Sequence, residues 1–212
     1  MIENNLPNKI AIFPLSNAIF FPRTILPLNI FEDRYLQLVD DCMKGNRMFG
    51  MVQPRNSSGV SPEVYNVGCL GKIISFNETA DKRFIITLLG LTRFEIKKEL
   101  KKKKLYRSFE VDYSGFLDDL KVKKDETLSS EKKNLLNKIQ VFFEKINYPV
   151  KFSELSKLDL DELISNVSMI SPFSIEEKQK LIETKQISSK IKILNEIINF
   201  NLLNFGGNKT IQ

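Results

Sequence analysis

IAIFPLSNAIFFPRTILPLNIFEDRYLQLVDDCMKGNRMFGMV, residues 10–52, decides how the rest of this 212-residue chain is read. Ile10 to Phe13 is a short apolar run closed by Pro14, the pattern of a buried strand. Pro14, Pro22 and Pro27 each fix φ and remove a backbone donor. At this spacing they exclude a helix and favour short extended pieces at sheet edges or corners. Ile25, Leu26, Leu28 and Ile30 give a second strand. Glu32 and Asp33 then supply the negative charge that suits a helix N-terminus. Tyr35, Leu38, Val39 and Cys42 fall on one helical face, widened by Leu36 and Met43. Lys44 sits in the last turn, Gly45 follows as the C′ residue, and Arg47 to Val52 leads into another strand.

Working outward, residues 53–63 (QPRNSSGVSPE) read as a surface loop. Tyr65 to Asn77 reads as a strand in which Gly68 and Gly71 permit a bulge or a close backbone approach. Glu78 to Lys82 makes a turn. From Arg83 the chain alternates: Phe84, Ile86, Leu88, Phe94 and Ile96 on one side, Arg83, Thr87, Arg93 and Glu95 on the other, with Gly90 expected to interrupt the strand. Leu105 to Phe116 alternates again, with Phe109, Val111 and Tyr113 inward. The run KKELKKKK, residues 97–104, is then the connection between two long strands, and its lysines discourage edge-to-edge pairing.

Beyond Phe116 the period changes from two to that of a helix. Asp118 to Thr127 reads as a charged linker. Leu135, Leu136, Ile139, Phe142, Phe143 and Ile146 form a helical stripe stopped at Tyr148-Pro149. Asp159 with Glu162, and Ser174 with Glu177, stand at capping-box distance and open two more helices. A last helix runs from about Gln186 to Asn204, ended by Gly206-Gly207. The fold class expected is α+β: a twisted β-sheet with one helix over residues 1–117, then a helical bundle over residues 118–212.

The motif F-P-L-x-N at Phe13, then F-P-x-x-x-L-P-L-N-I-F-E-x-R-Y-x-x-L from Phe21, then a helix, then R-x-F-G at Arg47, resembles the N-terminal domain of the Lon proteases. It resembles especially the free-standing bacterial proteins that consist of that domain alone. The likeness continues through Tyr65–Ile73 and Arg83–Phe94, and more weakly through Ser174–Ile182. The resemblance implies a barrel-like (PUA-like) β subdomain and a helical C-terminal subdomain, forming one Lon N-terminal-type unit. It also implies a module that helps recognise unfolded or damaged polypeptides, without the ATPase and Ser–Lys proteolytic parts of a full Lon protease, whose motifs do not occur in this sequence.

Chemistry is bounded by what the chain lacks. There is no histidine, which removes the commonest general base, the usual mixed zinc sites and the Ser-His-Asp and Cys-His arrangements. Cys42 and Cys69 lie in apolar patterns and read as reduced thiols in a cytoplasmic protein. Gly68-x-x-Gly71-Lys72 departs from the phosphate-loop pattern at Asn66 and Ile73. Asp40-Asp41 and Asp118-Asp119 read as solvated surface pairs. No catalytic residue, metal ligand or cofactor is expected, nor a secretory signal or a membrane partner.

The formal net charge is +6, but its distribution weakens a nucleic-acid reading. Residues 1–117 carry 17 basic and 12 acidic residues, and KKELKKKK alone, six Lys against one Glu, equals that +5 excess. The leading expectation is a non-catalytic protein- or peptide-binding module, an adaptor or sensor in protein quality control, taking an unfolded or extended polypeptide or a protein partner. Its candidate contacts are the aromatic and Met-rich positions Phe20, Phe21, Phe31, Tyr35, Met48 and Met51 with Glu32 and Arg34. The alternative is an RNA-binding module using the cluster from Lys97 to Lys104, with Lys101, Lys102, Lys103 and Lys104 as the anion contact.

Overall fold

The computed structural model describes residues 6–16, 18–55, 62–101, 103–121 and 129–207. The chain divides into two compact units, Met1–Val122 and Lys123–Gln212. The first holds strands β1 (Lys9–Pro14), β2 (Ile25–Ile30), β3 (Met48–Val52), β4 (Val67–Glu78), β5 (Phe84–Glu99) and β6 (Arg107–Asp112), with helix α1 (Asp33–Met43) between β2 and β3. The second holds α2 (Ser129–Lys145), α3 (Phe152–Leu155), α4 (Leu160–Ile170), α5 (Ile175–Glu183) and α6 (Ile187–Gly207).

The sheet order is β2-β5-β4-β3-β1-β6, and β6 pairs back onto β5. Five strands therefore curl into a ring. The long strand β5 closes it, pairing β4 along one side and β6 near its C-terminal end. β2 occupies the N-terminal half of that second side of β5 and lies outside the ring. The result is a six-stranded pseudo-barrel with one open flap, not a clean barrel. Ile10, Ile12, Val52, Leu70, Phe94, Phe109, Val111 and Tyr113 fill its centre.

α1 packs through Tyr35, Leu38 and Val39, with the Tyr35 ring stacked on Phe13 at 3.9 Å. Gly45 stands directly after the C-cap Lys44, as its position in the sequence suggests, and the left-handed turn falls at Arg47, φ 61°.

Four expectations need correction. Gly90 does not interrupt β5, which runs unbroken for 16 residues. A side chain at Gly90 would instead collide with the Phe21 carbonyl, so glycine is what lets the 21–24 loop lie against the strand. Arg93, expected on the outer face, is buried. A register shift opposite Leu70/Gly71 adds Leu91 to β5 and breaks the alternation, so Thr92, Arg93 and Phe94 are all buried. Asp119, expected to be solvated, is buried as Arg93's partner, in a 3-10 turn (Ser114–Leu120) within the stretch read as linker. Lys97, Lys98 and Glu99 belong to β5, so the connection to β6 begins at Leu100.

In the helical unit both capping boxes form. Asp159 accepts from the Glu162 backbone and Ser174 from that of Glu177, each returned by the glutamate side chain. Leu135, Ile139, Phe142, Phe143, Leu163, Ile164, Val167, Leu194 and Ile198 are buried, whereas Ile170 is half exposed at the end of α4. The short α3 has no counterpart in the sequence reading.

Candidate functional site

The flap formed by β2, β5 and the tip of β4 departs from ordinary surface patterning. Its register brings three rows to one face: Ile25, Leu89 and Lys72; Pro27, Thr87 and Ser75; Asn29, Ile85 and Asn77. Eight of these nine residues are uncharged, where a solvated sheet face would carry charge. Ile25 is 58% exposed and Ile85 46%, and Ile74, the extra residue of a second register shift, is 51% exposed. At the tip of the β4–β5 hairpin the opposite face carries Phe76 against Phe84, ring centroids 5.0 Å apart. Phe31, 63% exposed, follows β2 with the Arg83 guanidinium 6.0 Å from its ring.

β2 is also an open edge, pairing with β5 alone among the described strands. The Gly90 N–H donates to the Thr24 carbonyl. By the alternation of an antiparallel ladder, Leu26, Leu28 and Ile30 then face β5 with their backbone groups, while those of Ile25, Pro27 and Asn29 point outward. Pro27 has no N–H to leave unpaired there, which is the position where an edge strand tolerates proline.

The sequence-derived contact residues divide by burial. Phe20, Phe21, Tyr35 and Met51 are buried, at 2%, 0%, 5% and 4% exposure, and offer a partner no surface. Their aromatic and thioether groups fill the core: Phe20 closes on Gly71 and Tyr35 on Phe13. Met48 is half-buried. Phe31, Glu32 and Arg34 are exposed, with Arg34 bound to Glu32 at 2.7 Å and lying 4.5 Å from the Tyr35 ring. Ile25, Ile74 and Ile85 were missed. For Ile25 the signal was readable, an apolar residue at an out-facing position of a strand that also holds Pro27; for Ile74 and Ile85, on β4 and β5, there was no such proline.

The lysine run is partly committed. Lys97 pairs with Glu95 and Asp112, and Lys104 with Asp41 at 3.2 Å. Lys101 and Lys103 have no ion-pair partner among the described residues, and Lys102 lies outside them. Tyr106 Oη donates to Asp41 Oδ2 at 2.8 Å. That bond and Lys104 hold the Asp41 carboxyl below its usual range, and burial together with the same bond raises the Tyr106 hydroxyl. The first acidic pair is thus unequal: Asp40 is exposed, and Asp41 is drawn into a network.

The tightest polar cluster is structural. Arg93 Nε and Nη2 donate to Asp119 at 2.9 and 2.7 Å, and the Arg93 backbone N–H donates to the same carboxylate at 3.0 Å. The carboxylate stands where β5 has neither β2 nor β6 beside it, and it replaces the missing ladder acceptor. Burial pushes the Cys42 thiol up to about 12. Among the described residues no group of three or more His, Cys, Asp and Glu is placed to hold a metal, and no helix is long and apolar enough to cross a membrane. Gly68 and Gly71 lie inside β4 rather than in a loop around a phosphate.

These features define an α+β module whose conspicuous surface is an apolar sheet edge. The family model of the ATP-dependent protease La (Lon) substrate-binding domain matches residues 9–199, and the chain belongs to that family. It is 24% identical to the Lon protease of Anaeromyxobacter dehalogenans (strain 2CP-C), covering 93% of this chain and 24% of that protein. Against the Lon protease of Desulfosudis oleivorans it is 26% identical, covering 94% of this chain and 25% of the other. The chain thus spans about a quarter of the length of the curated relatives it matches. Its fold is that of the N-terminal domain of a Mycobacterium avium complex Lon protease (TM-score 0.68, 12% identity, 90% of this chain and 98% of that one). It is equally that of a Lon N-terminal domain protein from Xanthomonas campestris (TM-score 0.65, 20% identity, 89% and 97%).

Proposed function

We propose that this protein is a non-catalytic polypeptide-recognition module, acting in cytoplasmic protein quality control, that takes extended, uncharged apolar segments along the open edge of β2. The observation that carries this reading is the coincidence of a strand edge unpaired among the described strands with exposed Ile25 and Ile85 on its adjoining face. Strand addition at such an edge gains main-chain hydrogen bonds from any sequence, while alternate side chains of the peptide meet the apolar face. That combination suits a partner defined by being unfolded rather than by a motif. Two further supports are the family's substrate-binding description and a sequence without histidine.

The test is a fluorescence-anisotropy titration of the whole chain with a labelled, uncharged, β-prone apolar peptide. Binding is expected, and Ile25→Asp or Ile85→Asp is expected to weaken it by about tenfold or more by putting an unpaired charge under the bound strand. Both side chains are exposed, so the substitutions leave the fold intact, which thermal unfolding checks. Binding that ignores both substitutions contradicts the proposed surface.

A further inference from the structure

A second surface, on the ring rather than on its flap, has a different chemistry. Leu105 and Tyr106, between β5 and β6, are bonded to α1 at Gln37 and Asp41, and beside them lie two adjoining hollows of ≈ 300 and ≈ 430 Å³ that share Leu100, Tyr106 and Ser108. The larger is lined by Leu100, Tyr106, Ser108, Lys101, Lys103 and Lys104. The smaller adds Ala11 and Met48 together with the polar Lys9, Asp41 and Asn46.

The connection is anchored. Leu105 N–H donates to Gln37 Oε1 at 2.8 Å, Tyr106 Oη to Asp41 at 2.8 Å, and Leu100 N–H to the Ser108 carbonyl at 2.9 Å. These bonds tie it to α1 and β6, so ordering it for a ligand adds little cost on binding. Lys101 and Lys103 meanwhile carry positive charge with no acidic partner among the described residues.

We propose that this lysine-rimmed hollow binds an acidic peptide segment, one apolar side chain entering between Leu100 and Tyr106 while flanking carboxylates meet Lys101 and Lys103. The hollow falls in the size range of small-ligand sites and admits one or two side chains. Charge complementarity identifies the partner: Leu100 and Tyr106 lie beside Lys101 and Lys103, which have no acidic partner among the described residues, while Lys104 is already paired with Asp41. A nucleic acid fits worse. A continuous row of phosphates would have to pass Asp41 and the Arg107-paired Glu99, where a peptide need set carboxylates only at Lys101 and Lys103, and Tyr106 is half-buried.

The experiment is anisotropy on the whole chain with three fluorescein-labelled peptides. One has a Phe flanked by Glu and Asp, one has the acids changed to amides, and one keeps the acids with Phe changed to Ser; a single-stranded RNA is the fourth probe. The acidic Phe peptide is expected to bind, weakening with ionic strength. Both control peptides and the Lys101→Glu/Lys103→Glu variant are expected to lose about tenfold or more. Should that variant prove unstable, Lys101→Gln/Lys103→Gln is expected to give a smaller loss in the same direction. Absence of binding, equal binding of the Ser peptide, indifference to the lysine substitutions, or tighter binding of RNA at the same lysines would each overturn the proposal. Ile25→Asp leaves this site untouched, so its failure and that of the strand-edge reading are distinguishable.

Discussion

Asp119 gives up its hydration to complete a backbone ladder. A carboxylate in that position costs several kcal/mol to bury and is retained because three N–H groups of Arg93 meet it. Asp119→Ala is therefore expected to lower unfolding stability by about 3–5 kcal/mol in urea melts, since it strands a buried guanidinium. Replacing the pair by Arg93→Met with Asp119→Leu is expected to recover only part of that loss, because the Arg93 N–H still lacks its acceptor. None of this was legible in sequence. Strict alternation turns Arg93 outward; Gly71 marks a place where a bulge is permitted, and the register shift falls there, but nothing local says that it turns Arg93 toward a partner 26 residues away.

The buried thiols and phenols make a second residue-scale prediction. Burial raises Cys42, Cys69, Tyr35, Tyr106 and Tyr113 above their ordinary values of 9.0 and 10.0. The folded state then holds protons that the unfolded chain releases, so their contribution is complete below about pH 9 and declines as pH rises beyond it. Lys178, lowered by burial from 10.5, acts in the opposite sense and gains stability over the same alkaline range, but it stands against five groups. The net expectation is a falling unfolding midpoint above about pH 9, read by circular dichroism; a flat or rising profile would contradict it.

At the scale of elements, the capping boxes were readable because their logic is local, three residues wide. Asp159→Ala and Ser174→Ala are each expected to cost about 1 kcal/mol by removing the acceptor for a helix N-terminal N–H. The four-residue α3 was not readable, because a single turn is too short for a hydrophobic period to repeat. The prolines marked β2 as an edge. The ring closure stayed hidden, because it depends on β1 pairing β3 in parallel and β6 antiparallel, contacts between distant segments. Pro27 is the device that protects the open edge. Pro27→Val restores an outward donor in a strand with an apolar face and is expected to increase concentration-dependent association in sedimentation velocity.

For the whole molecule, the fold class, the resemblance and the order of the strands and of every α-helix except α3 were legible, and the proposed working surface only partly so. Phe31, Glu32 and Arg34 were placed at the surface, where they lie. Phe20, Phe21, Tyr35 and Met51 were read as contacts because aromatic and Met-rich runs suit both cores and binding faces, and only tertiary closure separates the two. The lysine run likewise resolves into separate parts: Lys97 paired with Glu95 and Asp112, Lys104 with Asp41, and Lys101 and Lys103 at a hollow with no acidic partner among the described residues.

Backbone hydrogen exchange of the whole chain, with and without a saturating uncharged apolar peptide, tests the strand-edge account most directly. Residues whose amides point away from β5, Ile25 and Asn29, should gain protection on binding, with little change in the helices of residues 129–207. Unchanged exchange along β2 with protection concentrated elsewhere would contradict it.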